Sequence, residues 1–276
     1  MWRKGGRVWD VPGLDAYHGK DIFLTEALTR EAIREVERAV KADRPFYLDL
    51  SHYAVHAPWE KDDRFYQKHI DAGLKPFEAT LASMNEGMDK SLGDVLDALK
   101  RLGVEQDTVV LFLSDNGAPA QCSRNLPLRG HKITPYEGGI RVPMIVRWPG
   151  VTKPKSVNTN PVVVEDFFPT ILELAGVAKP KTAQTVDGVS FVPLLMGDGG
   201  TPTDRAFVWH YPHQYSGTPF SAVRQGPWKL ICHHATRKRE LFQLDDDIGE
   251  KTDLAESKPD KADELAKVLV QSHSVT

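Results

Sequence analysis

The chain has 276 residues, 41% hydrophobic and 26% charged, an ordinary globular composition with enough length to bury a core without disulfides or a structural metal. With 35 Lys+Arg against 38 Asp+Glu the formal net charge is −3, which argues against nucleic-acid binding by bulk basicity and against a polybasic membrane anchor. Two cysteines, Cys122 and Cys232, exclude a disulfide scaffold and a four-cysteine zinc site, and leave one disulfide open.

No stretch approaches the roughly 18 apolar residues that a membrane-spanning helix needs. The opening residues 1–7 are basic, but no hydrophobic segment follows them, so they do not read as a secretory signal. The first clear element is a helix over residues 25–42, with Leu28, Ala32, Ile33, Val36 and Val40 on one face. Residues 46–50, Phe-Tyr-Leu-Asp-Leu, read as a short buried strand that runs into the polar loop 51–58. A longer helix is expected over 77–102, closed by Gly103. Residues 108–113 are apolar on both faces, as the centre of a parallel sheet requires, and open into Ser114-Asp115-Asn116-Gly117. A strand over 141–148 and a short helix over 169–175 follow. Helix and strand in alternation give an α/β fold class. After about residue 201 the pattern changes to short β-rich runs and a closing helix over 260–272, a small α+β subdomain. The expected domains are therefore 1–200 and 201–276.

Three segments carry residues suited to chemistry. Asp115 and Asn116 sit just past a central strand, where α/β sheets bind ligands, and their oxygens suit Ca²⁺ or Mg²⁺. The same residue types are favoured in strand-to-loop turns, and spacing alone leaves both readings open. His56, before Ala57-Pro58, suits an acid/base or an anion donor, or is simply an exposed histidine; His52, earlier in the loop, has the weaker case. Arg129, His131, Lys132 and Arg141 place cations among glycines, which suits an anionic group. Alternatively this is a solvated loop in which Glu137 and Arg141 form a surface ion pair of little energetic weight.

Taken in order, these segments resemble the type I, formylglycine-dependent sulfatases of the alkaline-phosphatase-like superfamily. Residues 46–58 look like the family's strand and His-x-Pro loop, and residues 111–117 its S-D-N-G metal segment. Residues 125–150 are similar to the block N-x-P-L-R-G-x-K, Y-E-G-G-x-R-V-P and W-P-G almost residue for residue. Later landmarks match at 166–170, 187–190 and 222–230, so the resemblance runs from about Tyr17 to the C-terminus.

The resemblance implies an incomplete sulfatase sandwich around a mixed, mainly parallel sheet, and hydrolysis of sulfate esters by attack of a formylglycine hydrate on sulfur. Asp115 and Asn116 are then Ca²⁺ ligands, with Mg²⁺ second, while Lys132 and His56 contact the sulfate. Arg129 and His131, together with His210 and His213 of the small subdomain, are secondary substrate-binding candidates. The family's C-x-P-S-R nucleophile motif is absent. Cys122-Ser123-Arg124 lacks its proline and follows the S-D-N-G segment instead of preceding it, so Cys122 reads as an ordinary loop residue. The paired aspartates of the first strand and the G-K-x-H segment are absent too. The expectation is a chain resembling the C-terminal part of the enzyme and inactive alone, with the formylglycine in an N-terminal segment. The implied partner is a sulfated small molecule or carbohydrate, with no nucleic acid and no membrane span; the complete enzyme would be periplasmic or secreted. A phosphonate or phosphate monoester hydrolase of the same superfamily, and a sulfate- or carbohydrate-binding protein without turnover, remain as alternatives.

Overall fold

The computed structural model describes residues 11–121, 124–177, 181–199, 205–214 and 217–273. It divides into two compact units, Met1–Thr108 and Val109–Thr276.

The first unit is helical. Helix α1 (Leu24–Lys41) and helix α3 (Pro76–Arg101) flank the short α2 (Tyr66–Asp71). Both long helices fall within a residue of their expected bounds, and Gly103 follows α3 at φ +73°, the left-handed position of a helix end. The buried stripe of α1 differs from the expected one: Thr25, Thr29, Ala32 and Val36 face inward, and Leu28 is only half-buried. Small side chains line α3 as well, at Ser83, Gly87, Ser91 and Ala98. The Thr29 hydroxyl, 2.5 Å from Ser91 Oγ and 2.6 Å from the Thr25 carbonyl, is satisfied inside this contact. Residues 46–50 form no strand. Their exposure alternates, with Phe46, Leu48 and Leu50 half-buried, but no described segment pairs with them.

The second unit holds two sheets. Strand β1 (Val110–Leu113) pairs with β2 (Met144–Arg147), and the helical turn α4 (Glu137–Ile140) lies between them in sequence. The pairing is antiparallel, with Val110 opposite Arg147, so the parallel neighbours expected for β1 are not found among the described residues. Helices α5 (Phe167–Leu174) and α6 (Val192–Met196) follow. The buried Asp166 ties this region together, accepting both guanidinium nitrogens of Arg205 at 2.6 and 2.9 Å and the Val189 N–H at 2.8 Å.

The C-terminal sheet is an antiparallel meander of β3 (Ala206–Tyr211), β4 (Phe220–Gln225), β5 (Trp228–His233) and β6 (Arg239–Gln243). Helix α7 (Pro259–His273) closes the chain, and Ala262, Leu265 and Leu269 pack on Val223, Leu230 and Leu241 of one sheet face. The opposite face presents Phe220, Ala222, Ile231 and Phe242, and Tyr136 packs against them. Both faces are covered, so β4 and β5 read as nearly continuous apolar runs. This second contact explains why the compact units divide near residue 108 and not near residue 200: the 125–143 loop rests on the C-terminal sheet.

Candidate functional site

The site is built on the end of β1. Asp115 and Asn116 follow the strand directly, in a turn where the Ser114 hydroxyl donates to the Asn116 carbonyl at 2.8 Å. Two backbone hydrogen bonds clamp this turn to the loop that carries the cations. Gly117 N–H donates to the Gly139 carbonyl at 3.0 Å, and Lys132 N–H to the Ala118 carbonyl at 2.9 Å. The approach is so close that a Cβ on Gly117 would sit 1.9 Å from the Gly138 oxygen. Glycine is required there by contact with backbone, which cannot step aside. Asn125 locks the base of the loop, its side-chain amide donating to the Gly138 carbonyl at 2.8 Å and the Gly130 carbonyl at 3.2 Å.

The structure thus brings the Asp115-Asn116 segment and the half-buried Lys132 together within one backbone network. Asp115 and Asn116 offer hard oxygen donors, which fits Ca²⁺ in chemical type. They supply two of the six to eight oxygens that Ca²⁺ takes. Among the described residues, no group of three or more His, Cys, Asp or Glu side chains is placed to hold a metal by itself.

The remaining candidates are placed differently. His131 Nδ1 lies 2.8 Å from the Lys132 carbonyl; a carbonyl only accepts, so Nδ1 carries the proton and Nε2 is the open position. Arg129 turns toward the C-terminal sheet. Its guanidinium lies 3.8 Å from the Tyr136 ring centroid, donates to the Glu250 carbonyl at 3.0 Å and stands 3.7 Å from Glu240. The Arg129 guanidinium is thus engaged by groups of the C-terminal sheet and the residues that follow it. His210 pairs across the ladder with Ser221, on the same face as Val223 and hence on the side of α7. Its Nδ1 is 2.6 Å from Ser221 Oγ, which also contacts His234 Nε2 at 2.9 Å. The 125–143 loop lies on the other face. His213 is exposed beyond β3, its ring edge-on to Tyr211.

His56 belongs to the first unit. It is exposed, and its Nδ1 lies 2.7 Å from the Ala57 carbonyl, which fixes the Nδ1–H tautomer and leaves Nε2 to exchange a proton. His52 is held inward. Thr29 donates to the Thr25 carbonyl, so Ser91 must donate to Thr29, and His52 Nε2–H then donates to Ser91 at 2.9 Å. Burial lowers the His52 pKa, and its Nδ1 has no hydrogen-bond partner among the described residues.

Beneath the loop lies a charge cluster that the motif reading passed over. Lys229 is wholly buried and contacts Glu137 Oε1 at 2.9 Å and Glu250 Oε1 at 2.8 Å. Glu250, also wholly buried, accepts the Glu137 N–H at 2.7 Å through its other oxygen; burial pushes its carboxyl up against the pull of Lys229. The expected Glu137–Arg141 pair exists at 3.4 Å but is the longer contact. A second acid, Glu240, accepts from Tyr136 and His233, each at 2.7 Å, and from Lys238 at 3.2 Å. Burial pushes Glu240 up, yet these donors outweigh it and hold the carboxyl at about 2, while burial and the Glu240 bond push the Tyr136 phenol up to about 12. One signal for these residues was available: Lys229 and Glu240 are charges set inside apolar strands. Of the two cysteines, Cys232 is a free, half-buried strand residue, and Cys122 lies outside the described residues.

Two family models match the chain: Sulfatase, over residues 9–177, and N-sulphoglucosamine sulphohydrolase, C-terminal, over residues 131–273. A sulfatase of Formosa agariphila is 32% identical over 93% of this chain and 49% of its own length. The N-acetylgalactosamine-6-sulfatase of Canis lupus familiaris is 32% identical over 88% of this chain and 44% of its own. The solved structure of Ps i-CgsB in complex with k-i-k-neocarrahexaose superposes with a TM-score of 0.82 at 28% identity, covering 92% of this chain and 56% of that one. The chain spans about half the length of the curated relatives it matches.

Proposed function

Because the chain belongs to the sulfatase family, we propose that it supplies the metal-binding and anion-binding part of a sulfate-ester hydrolase. Lys132 contacts the sulfate, Asp115 and Asn116 hold the metal, and His56 serves the leaving group. The observation that carries this reading is the double clamp that fixes the Asp115-Asn116 turn to the Lys132 loop. A cation and two hard oxygen donors held on one rigid backbone suit an anion shared between an ammonium and a divalent metal.

Ca²⁺ bound at Asp115 and Asn116 supplies Lewis-acid polarisation of a sulfate oxygen. Lys132 donates to a second oxygen and offsets charge as the S–O bond to the alcohol breaks. His56, with Nδ1–H committed to Ala57, exchanges its proton at Nε2, which suits protonation of the departing oxygen. The nucleophile is not among these residues, since the sequence contains no C-x-P-S-R. The substrate class we favour is a sulfated carbohydrate, supported by the k-i-k-neocarrahexaose in the Ps i-CgsB complex. A sulfated carbohydrate carries fixed charge and does not cross a membrane unaided, so an exported enzyme fits such a substrate. No helix of the described residues is long and apolar enough to cross a membrane.

The test is a hybrid in which the N-terminal half of the Formosa relative is joined to this chain, assayed with 4-nitrophenyl sulfate and 4-nitrophenyl phosphate. Sulfate turnover by the hybrid, lost by at least 100-fold in Lys132→Ala and absent from the 276-residue chain alone, is expected. Turnover of the phosphate ester in preference to the sulfate, or full activity in Lys132→Ala, overturns the reading.

A further inference from the structure

Two residues around the Lys132 loop hold a backbone conformation that L-residues avoid. Ile133, directly after Lys132, has φ +78°, and Glu250 has φ +51°. A β-branched residue in the left-handed region is strained, and such strain persists only where the surroundings over-determine it. Glu250 supplies that constraint by gripping the loop on both sides of Ile133. Its carbonyl accepts from the Arg129 guanidinium at 3.0 Å, and its carboxylate accepts the Glu137 N–H at 2.7 Å. Lys229 secures the grip from below, 2.8 Å from Glu250 and 2.9 Å from Glu137, with all three side chains inaccessible to solvent or nearly so.

We propose that Glu250 is the positioning residue of Lys132: by bridging Arg129 and Glu137 it clamps the strained turn at Ile133 and so fixes the direction in which the Lys132 ammonium is presented. This rests on the reading that Lys132 binds sulfate. A buried ion cluster that served stability alone would have no reason to straddle the strained residue. Here the two points of attachment fall four residues before and four after it, and they use two different groups of one glutamate.

The experiment is a mutant cycle on the 276-residue chain, read by amide hydrogen exchange and by calorimetric binding of inorganic sulfate in the presence of Ca²⁺. Glu250→Gln removes the charge facing Lys229. Exchange at Lys132 and Thr134 is expected to rise at least 10-fold, with α7 unchanged, and sulfate affinity to fall at least 5-fold. Ile133→Gly relieves the left-handed strain, so the double variant Ile133→Gly with Glu250→Gln is expected to recover most of both losses. Lys155, at φ +63° on an exposed turn, provides the control: Lys155→Gly relieves comparable strain and is expected to recover nothing. Should Glu250→Gln fail to fold, Arg129→Lys cuts the grip at the half-exposed end and gives the same exchange pattern. Unchanged exchange at Lys132 in both variants, or equal recovery by Lys155→Gly, overturns the proposal. Absence of sulfate binding by the parent chain instead overturns the proposed function, and the exchange data then decide the role of Glu250 alone.

Discussion

The carboxylate of Glu240 collects a phenol, an imidazole and an ammonium, and its titration is tied to all three. Its folded pKa, about 2, lies below the ordinary 4.5, so its contribution to stability is complete above pH 4.5 and disappears as the pH falls toward 2. Tyr136 runs the other way. Its pKa is raised from 10.0 to about 12, so its contribution is complete below pH 10 and is lost as the pH rises through 12. Urea unfolding across pH should therefore show a stability plateau that falls at both ends. Tyr136→Phe removes the alkaline fall, shrinks the acid one, and costs about 1.5–3 kcal/mol at neutral pH, the usual range for a hydrogen bond to a charged group. An alkaline fall that persists unchanged in Tyr136→Phe would assign it to another group. This network was not legible in sequence, because the tyrosine and its acid are 104 residues apart and only the sheet unites them.

At the scale of elements, legibility follows from how local the cause is. Helices α1 and α3 could be read to within a residue because amphipathic spacing and the closing Gly103 are local signals. The orientation of α1 could not, because hydroxyl bonds to Ser91 and to the Thr25 carbonyl allow Thr29 to take a place in the buried stripe. Residues 46–50 carry a strand pattern, but a strand needs a ladder partner, and none of the described segments provides one. Asp115, Asn116 and Lys132 were legible as a motif; what holds them was not, since the clamp is made of backbone. Two glycines separate these cases. Gly117→Ala puts its methyl into the Gly138 carbonyl and should weaken Ca²⁺ binding at least 10-fold by calorimetry, with β1–β2 amides losing exchange protection. Gly93→Ala, in α3, meets nothing within 4 Å and should stabilise the chain by about 0.5–1 kcal/mol in urea unfolding.

At the scale of the molecule, the β1–β2 ribbon leaves apolar side chains exposed. Phe112, Leu113 and Ile145 lie on it at 39%, 40% and 63% exposure, and a two-stranded ribbon is marginal by itself. Light scattering should show concentration-dependent association, reduced by Ile145→Lys without loss of helical signal; a monomer at all concentrations would count against this. The grip of Glu250 on Arg129 has a further consequence, for the order of events during synthesis. Its two ends are 121 residues apart in the chain, and translation at roughly 5–20 residues per second separates their appearance by on the order of ten seconds. Throughout that interval the Lys132 loop lacks the clamp that holds Ile133 in its left-handed turn. The Lys132 loop is thus among the first parts of this unit to be made and among the last to take its final shape.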